Sequence, residues 1–251
     1  MDWGRAKSIF IISFFALNVV LGYELWVGKW NAAGSKEVSA DIAEEVNRLM
    51  QARGIEIAAA VPKEVPKMRE IVVKWVEGET SGRLVTLPDP IGYNLVLNKG
   101  SLKELSQQGI PKIESYIFDK VTSNENVLML NQLVGDYPLF DVNLELYTRE
   151  GKVKGYRQSF VEVDPGQADK EEKKVISAYT VLRTLIDKYL PYGSVITDIR
   201  LGYHGQYFDT EKWTELPAFP TWRVALENGD IFYVHGFRGD VENPAQAKEN
   251  L

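Results

Sequence analysis

The apolar positions near the start of the chain form one long run. Residues 8–23 (SIFIISFFALNVVLGY) carry no charge, and only Glu24 interrupts an apolar stretch that continues through Val27. An α-helix needs about 20 residues, at roughly 1.5 Å each, to cross the hydrocarbon core of a bilayer. The pattern therefore predicts a transmembrane helix over residues 8–27.

The residues that flank this run predict its orientation. Arg5 and Lys7 lie directly before it, in a lead of seven residues, 1–7. Because basic residues mark the cytoplasmic side of a span, residues 1–7 are expected in the cytoplasm and everything after Val27 outside. Aromatic side chains that favour the membrane interface lie at both ends: Trp3, Tyr23, Trp26 and Trp30. The expected location is the cell membrane, with a single pass and an extracytoplasmic C-terminal region.

Two other interpretations of the run fit less well. A cleaved secretion signal has a shorter apolar core followed directly by a small-x-small site. The nearest such site, 32–34, lies beyond Glu24 and Lys29. A buried helix of a globular domain is normally polar on one face, whereas this run is apolar on every face. An uncleaved anchor is therefore favoured.

One face of the predicted helix could bind another membrane helix. Ile11, Phe15, Asn18 and Gly22 recur at helical spacing and share this face. An amide in hydrocarbon is stabilised by a hydrogen bond across helices, and a small residue one turn away lets two backbones approach. The alternative is that Asn18 bonds its own backbone and Gly22 lies near the headgroups. Both interpretations stay open at this point.

The rest of the chain has the pattern of an α+β protein. After a polar linker at 28–36, short apolar runs separated by proline and glycine predict mostly antiparallel sheets packed with helices. A polar stretch at 121–126 (VTSNEN) suggests a boundary between a membrane-proximal subdomain, 37–122, and a distal subdomain, 123–251.

Three local signals predict individual elements. Asp41 resembles the N-cap of a helix that ends at Gly54, and Asp169 with Glu172 resembles the N-terminal cap of a second helix. The second helix presents an apolar stripe at Val175, Tyr179, Leu182, Ile186 and Tyr189. Asn228-Gly229 between two strand-like runs predicts a hairpin with a type I′ turn.

The amino-acid composition excludes several kinds of site but does not indicate an activity. The chain is 45% hydrophobic and 25% charged, has net charge −6, and contains no cysteine, which excludes disulfides and thiolate sites. The acidic balance argues against a nucleic-acid partner. The two histidines, His204 and His235, lie in no metal or catalytic motif and are expected to be structural or solvated. No catalytic, cofactor-binding or metal-binding residues are therefore predicted.

An aromatic-rich segment follows His204. Between Gly205 and Phe219 the rings of Tyr207, Phe208, Trp213 and Phe219 are interleaved with acids and prolines. These side chains could form an external contact loop. They could equally fold back and cover the end of the sheet, since loop aromatics commonly complete a core.

Several segments together carry a family resemblance. The opening MDWGRAKSIFIISFFALNVVLGYEL, the stretch Ile199–Tyr203 (IRLGY), the stretch Pro220–Val224 (PTWRV), and Asn228-Gly229 ahead of Tyr233-Val234 occur in this order at this chain length. In these features the chain resembles the YycI (WalI) family. The motifs are structural, so the likeness comes from their joint occurrence.

The resemblance implies a non-enzymatic regulator of the WalK–WalR (YycG–YycF) two-component system, which controls cell-wall metabolism in low-GC Gram-positive bacteria. It implies two partners, the WalK histidine kinase and a YycH-like single-pass protein, an external part similar to YycH domains, and no cofactor. Whether the kinase is activated or inhibited stays open. The alternatives are an extracytoplasmic binding module for wall fragments or peptides and an anchored wall hydrolase, which would need a carboxylate pair or triad in a cleft.

Overall fold

The computed structural model describes Phe14, Asn18 and residues 35–76, 82–92, 105–106, 109–167, 171–205 and 215–242. Among these residues, no helix has both the length and the hydropathy that a membrane crossing requires. The span predicted at 8–27 lies outside the described part of the chain, apart from Phe14 and Asn18.

The described elements alternate short strands with a few helices. The helices are α1 (Ser35–Arg53) and α2 (Ala178–Lys188), with 3₁₀ turns at Ile113–Ser115 and Pro165–Gln167. The strands are β1 (Glu56–Ile57), β2 (Lys67–Met68), β3 (Ile71–Trp75), β4 (Leu84–Gly92), β5 (Tyr116–Asp119), β6 (Val127–Val134), β7 (Tyr137–Arg149), β8 (Lys152–Gln158), β9 (Val161–Val163), β10 (Lys173–Lys174), β11 (Val195–His204), β12 (Glu215–Leu226), β13 (Ile231–His235) and β14 (Val241–Glu242).

Most of these strands join one sheet. Its main path runs β14-β13-β12-β11-β7-β6-β5, and β1, β3, β4, β8 and β9 attach beside it. The pairing of β11 with β1 and with β7 is parallel, whereas the other pairs of this sheet are antiparallel. Strands β2 and β10 form a separate antiparallel pair. The predicted α+β class with mostly antiparallel sheets is confirmed.

The main sheet curls strongly on itself. Strands β12 and β5 are four positions apart in the strand order, which corresponds to about 19 Å in a flat sheet. Yet Nη1 of Arg223 on β12 lies 2.6 Å from Oδ2 of Asp119 on β5. Two side chains could not bridge a flat sheet over that distance, so β12 and β5 approach each other across a concave face, and the charged pair lies between them.

The apolar side chains form two core clusters. The first cluster buries the inner face of α2 (Ala178, Val181, Leu182, Leu185 and Ile186) against β11, β12 and β13. Helix α1 packs along α2, where Glu45 and Arg183 form an ion pair at 3.3 Å. The second cluster lies around β4 to β8 and includes Leu105, Ile110, Ile113, Leu130 and Leu144. The predicted subdomain boundary, between residues 122 and 123, falls in the connection between β5 and β6, which are hydrogen-bonded neighbours.

Helix α2 begins later than the sequence suggests. Its N-cap is Ser177, whose side-chain oxygen accepts the Thr180 N–H at 3.1 Å. Asp169 lies outside the described residues, but residues 171–177 are not helical, so the prediction that this helix begins at Asp169 and Glu172 is wrong. The physical reason is non-local, because Lys173 and Lys174 pair with β2 instead of extending the helix. Of the predicted stripe, Leu182 and Ile186 are buried core residues, as expected.

The predicted hairpin of β12 and β13 is confirmed, but its turn is of another type. Gly229 has φ 91°, while Asn228 is outside the positive-φ region that a type I′ turn requires at both central residues. The Leu226 N–H donates to the Asp230 carbonyl at 2.9 Å, which closes a three-residue loop. A turn with positive φ at both central residues occurs instead at Glu150 and Gly151, between β7 and β8.

Candidate functional site

One face of the sheet carries a row of polar side chains. Arg200, Arg223, Tyr233 and Glu242 lie directly opposite one another on β11, β12, β13 and β14. Residues that are opposite in a sheet share a face, so these four side chains lie on the same side. The polar face of the sheet is therefore formed by side chains from four adjacent strands.

The next positions along the same strands face the other way. Leu201, Trp222 and Val234 are also opposite one another and belong to the core cluster under α2. The Trp222 indole N–H donates to the Ile176 carbonyl at 2.9 Å, next to the start of α2. Because side chains alternate along a strand, packing of the apolar face against α2 fixes which residues line the polar face.

An open cleft of about 340 Å³ lies on the polar face, at the β13–β14 end of the strand order. We call it the histidine cleft. The residues that shape it are His204, Phe219, Tyr233, His235, Arg238 and Glu242.

His204 holds a positive charge between two carboxylates. Its Nδ1 lies 2.7 Å from Asp141 Oδ1 and its Nε2 lies 3.4 Å from Glu242 Oε2, both as ion pairs outside hydrogen-bond alignment. The ring stacks on Tyr233 with centroids 4.1 Å apart. Burial acts to lower the pKa of His204, but the two carboxylates outweigh it and raise that pKa to about 9. The charged ring therefore ties β14 to β11 and β7.

This charge predicts a loss of stability at alkaline pH. The pKa of His204 is about 9 in the folded chain against an ordinary value of 6.5. A raised pKa contributes stability that is fully present below 6.5 and is lost as the pH rises through 9. Urea unfolding should show a decrease of about 2 kcal/mol between about pH 6 and about pH 8. In a His204→Gln variant this decrease should disappear, and an unchanged pH profile would contradict the assignment.

A second charged group is fully buried within the curl. The guanidinium of Arg223 donates to both carboxylate oxygens of Asp119, at 2.6 and 2.8 Å, and to Asp198 at 3.1 Å. It also lies 4.7 Å from the ring centroid of Phe140. Burial acts to raise the pKa of Asp119, yet Arg223 holds it below the ordinary value. This triad joins β5, β11 and β12 and fixes the shape of the concave face.

His235 differs from His204 in both charge and contacts. Its Nδ1 accepts the Phe237 backbone N–H at 3.2 Å, and its ring lies 5.3 Å from that of Phe219. Burial lowers the pKa of His235, and the charge of Arg238 lowers it further. This imidazole is therefore neutral at physiological pH, with its proton on Nε2.

The structure describes only some of the candidate contact residues. Phe219 lies in β12, not in the loop where the sequence placed it, and contributes its ring to the histidine cleft. Asn18 donates a hydrogen bond to the Phe14 carbonyl at 2.8 Å, the local bond that the sequence left as one alternative. The other candidates lie outside the described residues: Ile11, Phe15, Gly22, Tyr207, Phe208 and Trp213.

Sequence reasoning missed Arg223, Asp119 and Glu242. One signal was available for Arg223, since it is the single charge in the otherwise apolar run PTWRVAL of β12. A charge in such a position requires a partner, but its principal partner, Asp119, lies 104 residues earlier in the chain. No pattern in the sequence connects them.

The chemistry of the site is that of paired charges. His204 lies between two acids, Arg223 between two others, and Arg238 bonds Asp240 at 2.6 Å. Within the described residues no group of three metal-binding side chains has the geometry of a metal site. The pairs of His204 and of Arg223 join different strands, whereas His204, Glu242, Arg238 and Asp240 line the cleft.

Comparisons with known proteins place the chain in a family. The family model described as "YycI protein" matches residues 34–237. A comparison with curated proteins finds no match. Among solved structures, a similar one is that of an uncharacterized protein from Eubacterium rectale, with 10% identity, a TM-score of 0.39, and coverage of 83% of this chain and 82% of that one. Since the family model spans most of the sequence, the chain belongs to the YycI family.

Proposed function

We propose that this protein is a membrane-anchored accessory regulator that binds the WalK (YycG) histidine kinase together with a YycH-like partner. The observation that carries the proposal is the YycI family match over residues 34–237, which supports a role in regulation of the YycG/WalK system. The uncharged run at 8–23 supports an anchor in the same membrane as the kinase.

Such a regulator can act on the kinase by binding alone, without catalysis. A regulator that binds one signalling state of the kinase more tightly than the other shifts their populations by its differential affinity. A difference of about 1–3 kcal/mol changes the ratio of the two states by roughly 5- to 150-fold. The buried pair of Arg223 and Asp119, with Asp198 beside it, supports such a role, because charges paired in the interior help the folded domain keep one shape for its partner.

The helix face around Asn18 is the place to test binding in the membrane. The bond to Phe14 uses one N–H of the Asn18 amide, and a primary amide has a second N–H and a carbonyl oxygen that can bond a partner helix. We expect the double variant Asn18→Leu/Gly22→Leu to reduce co-purification with WalK at least about fivefold and to change expression of WalR target genes.

A matched control lies on the same predicted helix. Val20→Leu, two residues and about 200° around the helix from Asn18, should leave both readouts unchanged. Membrane levels of each variant are compared by immunoblot, so that loss of binding is separated from loss of the protein. Wild-type co-purification in the double variant would rule out this helix face as the contact.

A further inference from the structure

The turn between β13 and β14 depends on the neutral form of one side chain. In this turn, residues 235–240, the His235 N–H donates to the Asp240 carbonyl and the Gly239 N–H donates to the His235 carbonyl, each at 2.8 Å. A third bond runs from the Phe237 N–H to His235 Nδ1 at 3.2 Å. That bond needs the lone pair that Nδ1 has only in the neutral imidazole.

The ring of His235 has surroundings that disfavour a positive charge. It lies between Phe219 and Phe237, with centroids 5.3 and 6.0 Å away, and its Nε2 is sealed from solvent. Nε2 has no hydrogen-bond partner in the described part of the chain. Because Nε2 already carries the proton of the neutral ring, the second proton goes to Nδ1 and directs Nδ1–H at the Phe237 N–H. The positive charge of the ring then has no acceptor at Nε2 among the described residues.

The charged groups around His235 do not compensate for the free-energy cost of protonating its ring. Arg238, in the same turn, disfavours a second positive charge, and its guanidinium is already paired with Asp240. Two acids favour the charged ring, Asp240 and, more weakly, Glu70 in the segment before β3, but burial and Arg238 outweigh them and the pKa of His235 stays below its ordinary value. On the other side of the histidine cleft, Glu242 is engaged by the charged His204.

We propose that protonation of His235 opens the turn 235–240 and thereby widens the histidine cleft, which makes this end of the sheet responsive to acid. The hinge is Gly236, since its N–H donates to the Pro220 carbonyl and its carbonyl accepts the Ile176 N–H, each at 2.7 Å. These bonds hold the start of the turn on β12 and near α2. Residues 237–240, which follow the hinge, include two that line the cleft, Arg238 and Asp240.

His204 makes the response local. Because its pKa is about 9, it stays charged throughout mildly acidic and neutral pH and continues to hold Glu242. Acidification from about pH 7.5 to about pH 5 therefore changes His235 without releasing β14 at Glu242. The pKa of His204 is raised, so its charged ring holds Glu242 in the ion pair, whereas the pKa of His235 is lowered and its protonation state controls the turn.

NMR of the full-length protein in detergent micelles tests the proposal directly. The chain contains only two histidines, so the ring signals of His204 and His235 can be followed individually through a titration. We expect the His235 ring to titrate below its ordinary value of 6.5. In step with it, hydrogen exchange of the Phe237 and Gly239 amides, corrected for intrinsic rates, should rise by about tenfold or more.

The variant His235→Asn provides the matched comparison. An asparagine oxygen accepts the N–H two residues later without titrating, as Asn228 already does for Asp230 at 3.0 Å. Its turn amides should stay protected to within about twofold from neutral to mildly acidic pH. The proposal is overturned if wild-type turn amides stay protected through the His235 titration, or if the variant opens with the same pH dependence. If the variant does not fold, the wild-type titration alone tests the proposal.

Discussion

Replacement of Asp119 by alanine is expected to lower the free energy of unfolding by about 3–5 kcal/mol. Asp119 is 0% and Arg223 1% exposed, so removal of the carboxylate leaves a guanidinium in the interior with Asp198 as its one acidic partner among the described residues. The penalty comes from the unpaired buried charge more than from the lost attraction. Urea unfolding followed by circular dichroism measures the change.

An exposed pair provides the control for Asp119. Glu44 and Arg48 on α1 are 3.8 Å apart and more than two thirds exposed, so Glu44→Ala should change stability by less than about 0.5 kcal/mol. The double variant Asp119→Leu/Arg223→Met removes both partners and should recover much of the loss. A cost for Asp119→Ala as small as that of Glu44→Ala would mean that the triad does not stabilise the curled sheet.

The parts of the fold that sequence predicted correctly are locally encoded. The hairpin of β12 and β13 was found because Asn228-Gly229 separates two apolar runs, and the end of α1 was found at Gly54, which has φ 62°. The type of the hairpin turn could not be predicted from the same two residues. Asn228 places its side-chain oxygen on the Asp230 N–H, which stabilises a three-residue loop instead of a type I′ turn.

The parts that sequence missed depend on distant partners. Asp169 and Glu172 match a helix cap locally, yet Lys173 and Lys174 pair with Met68 and Lys67, about 100 residues earlier. Helix α1 likewise begins at Ser35, six residues before the predicted cap at Asp41. At residues 173–174 the composition permits either structure, and the pairing with β2 decides.

In the candidate site, too, local features could be predicted from sequence and features that depend on distant residues could not. Sequence alone identified His204 and His235 as structural or solvated groups, and both take part in contacts that hold β13 and β14. Their opposite charge states could not be predicted, because His204 obtains its carboxylates from β7 and β14, whereas His235 contacts the rings of Phe219 and Phe237 beside the cleft. The pKa of a histidine is set by the neighbours that folding provides.

Substitution of alanine for Gly202 is expected to lower the free energy of unfolding by at least about 2 kcal/mol. A Cβ at this position would clash with the Pro138 carbonyl oxygen and lie 2.7 Å from Cζ of Phe140. The backbone of β7 must then move away from β11, where the parallel register pairs Tyr203 with Leu139. Phe140 would also shift, and its ring lies 4.7 Å from the Arg223 guanidinium.

Gly92 in β4 separates this steric cost from the general effect of removing a glycine. A Cβ at Gly92 meets no atom of the described residues within 4 Å, so Gly92→Ala should change stability by less than about 0.5 kcal/mol or raise it slightly. Denaturant unfolding of the two variants side by side isolates the contact of β7 with β11. Equal stability of the two would show that this contact adapts, and that the curl does not require a glycine at position 202.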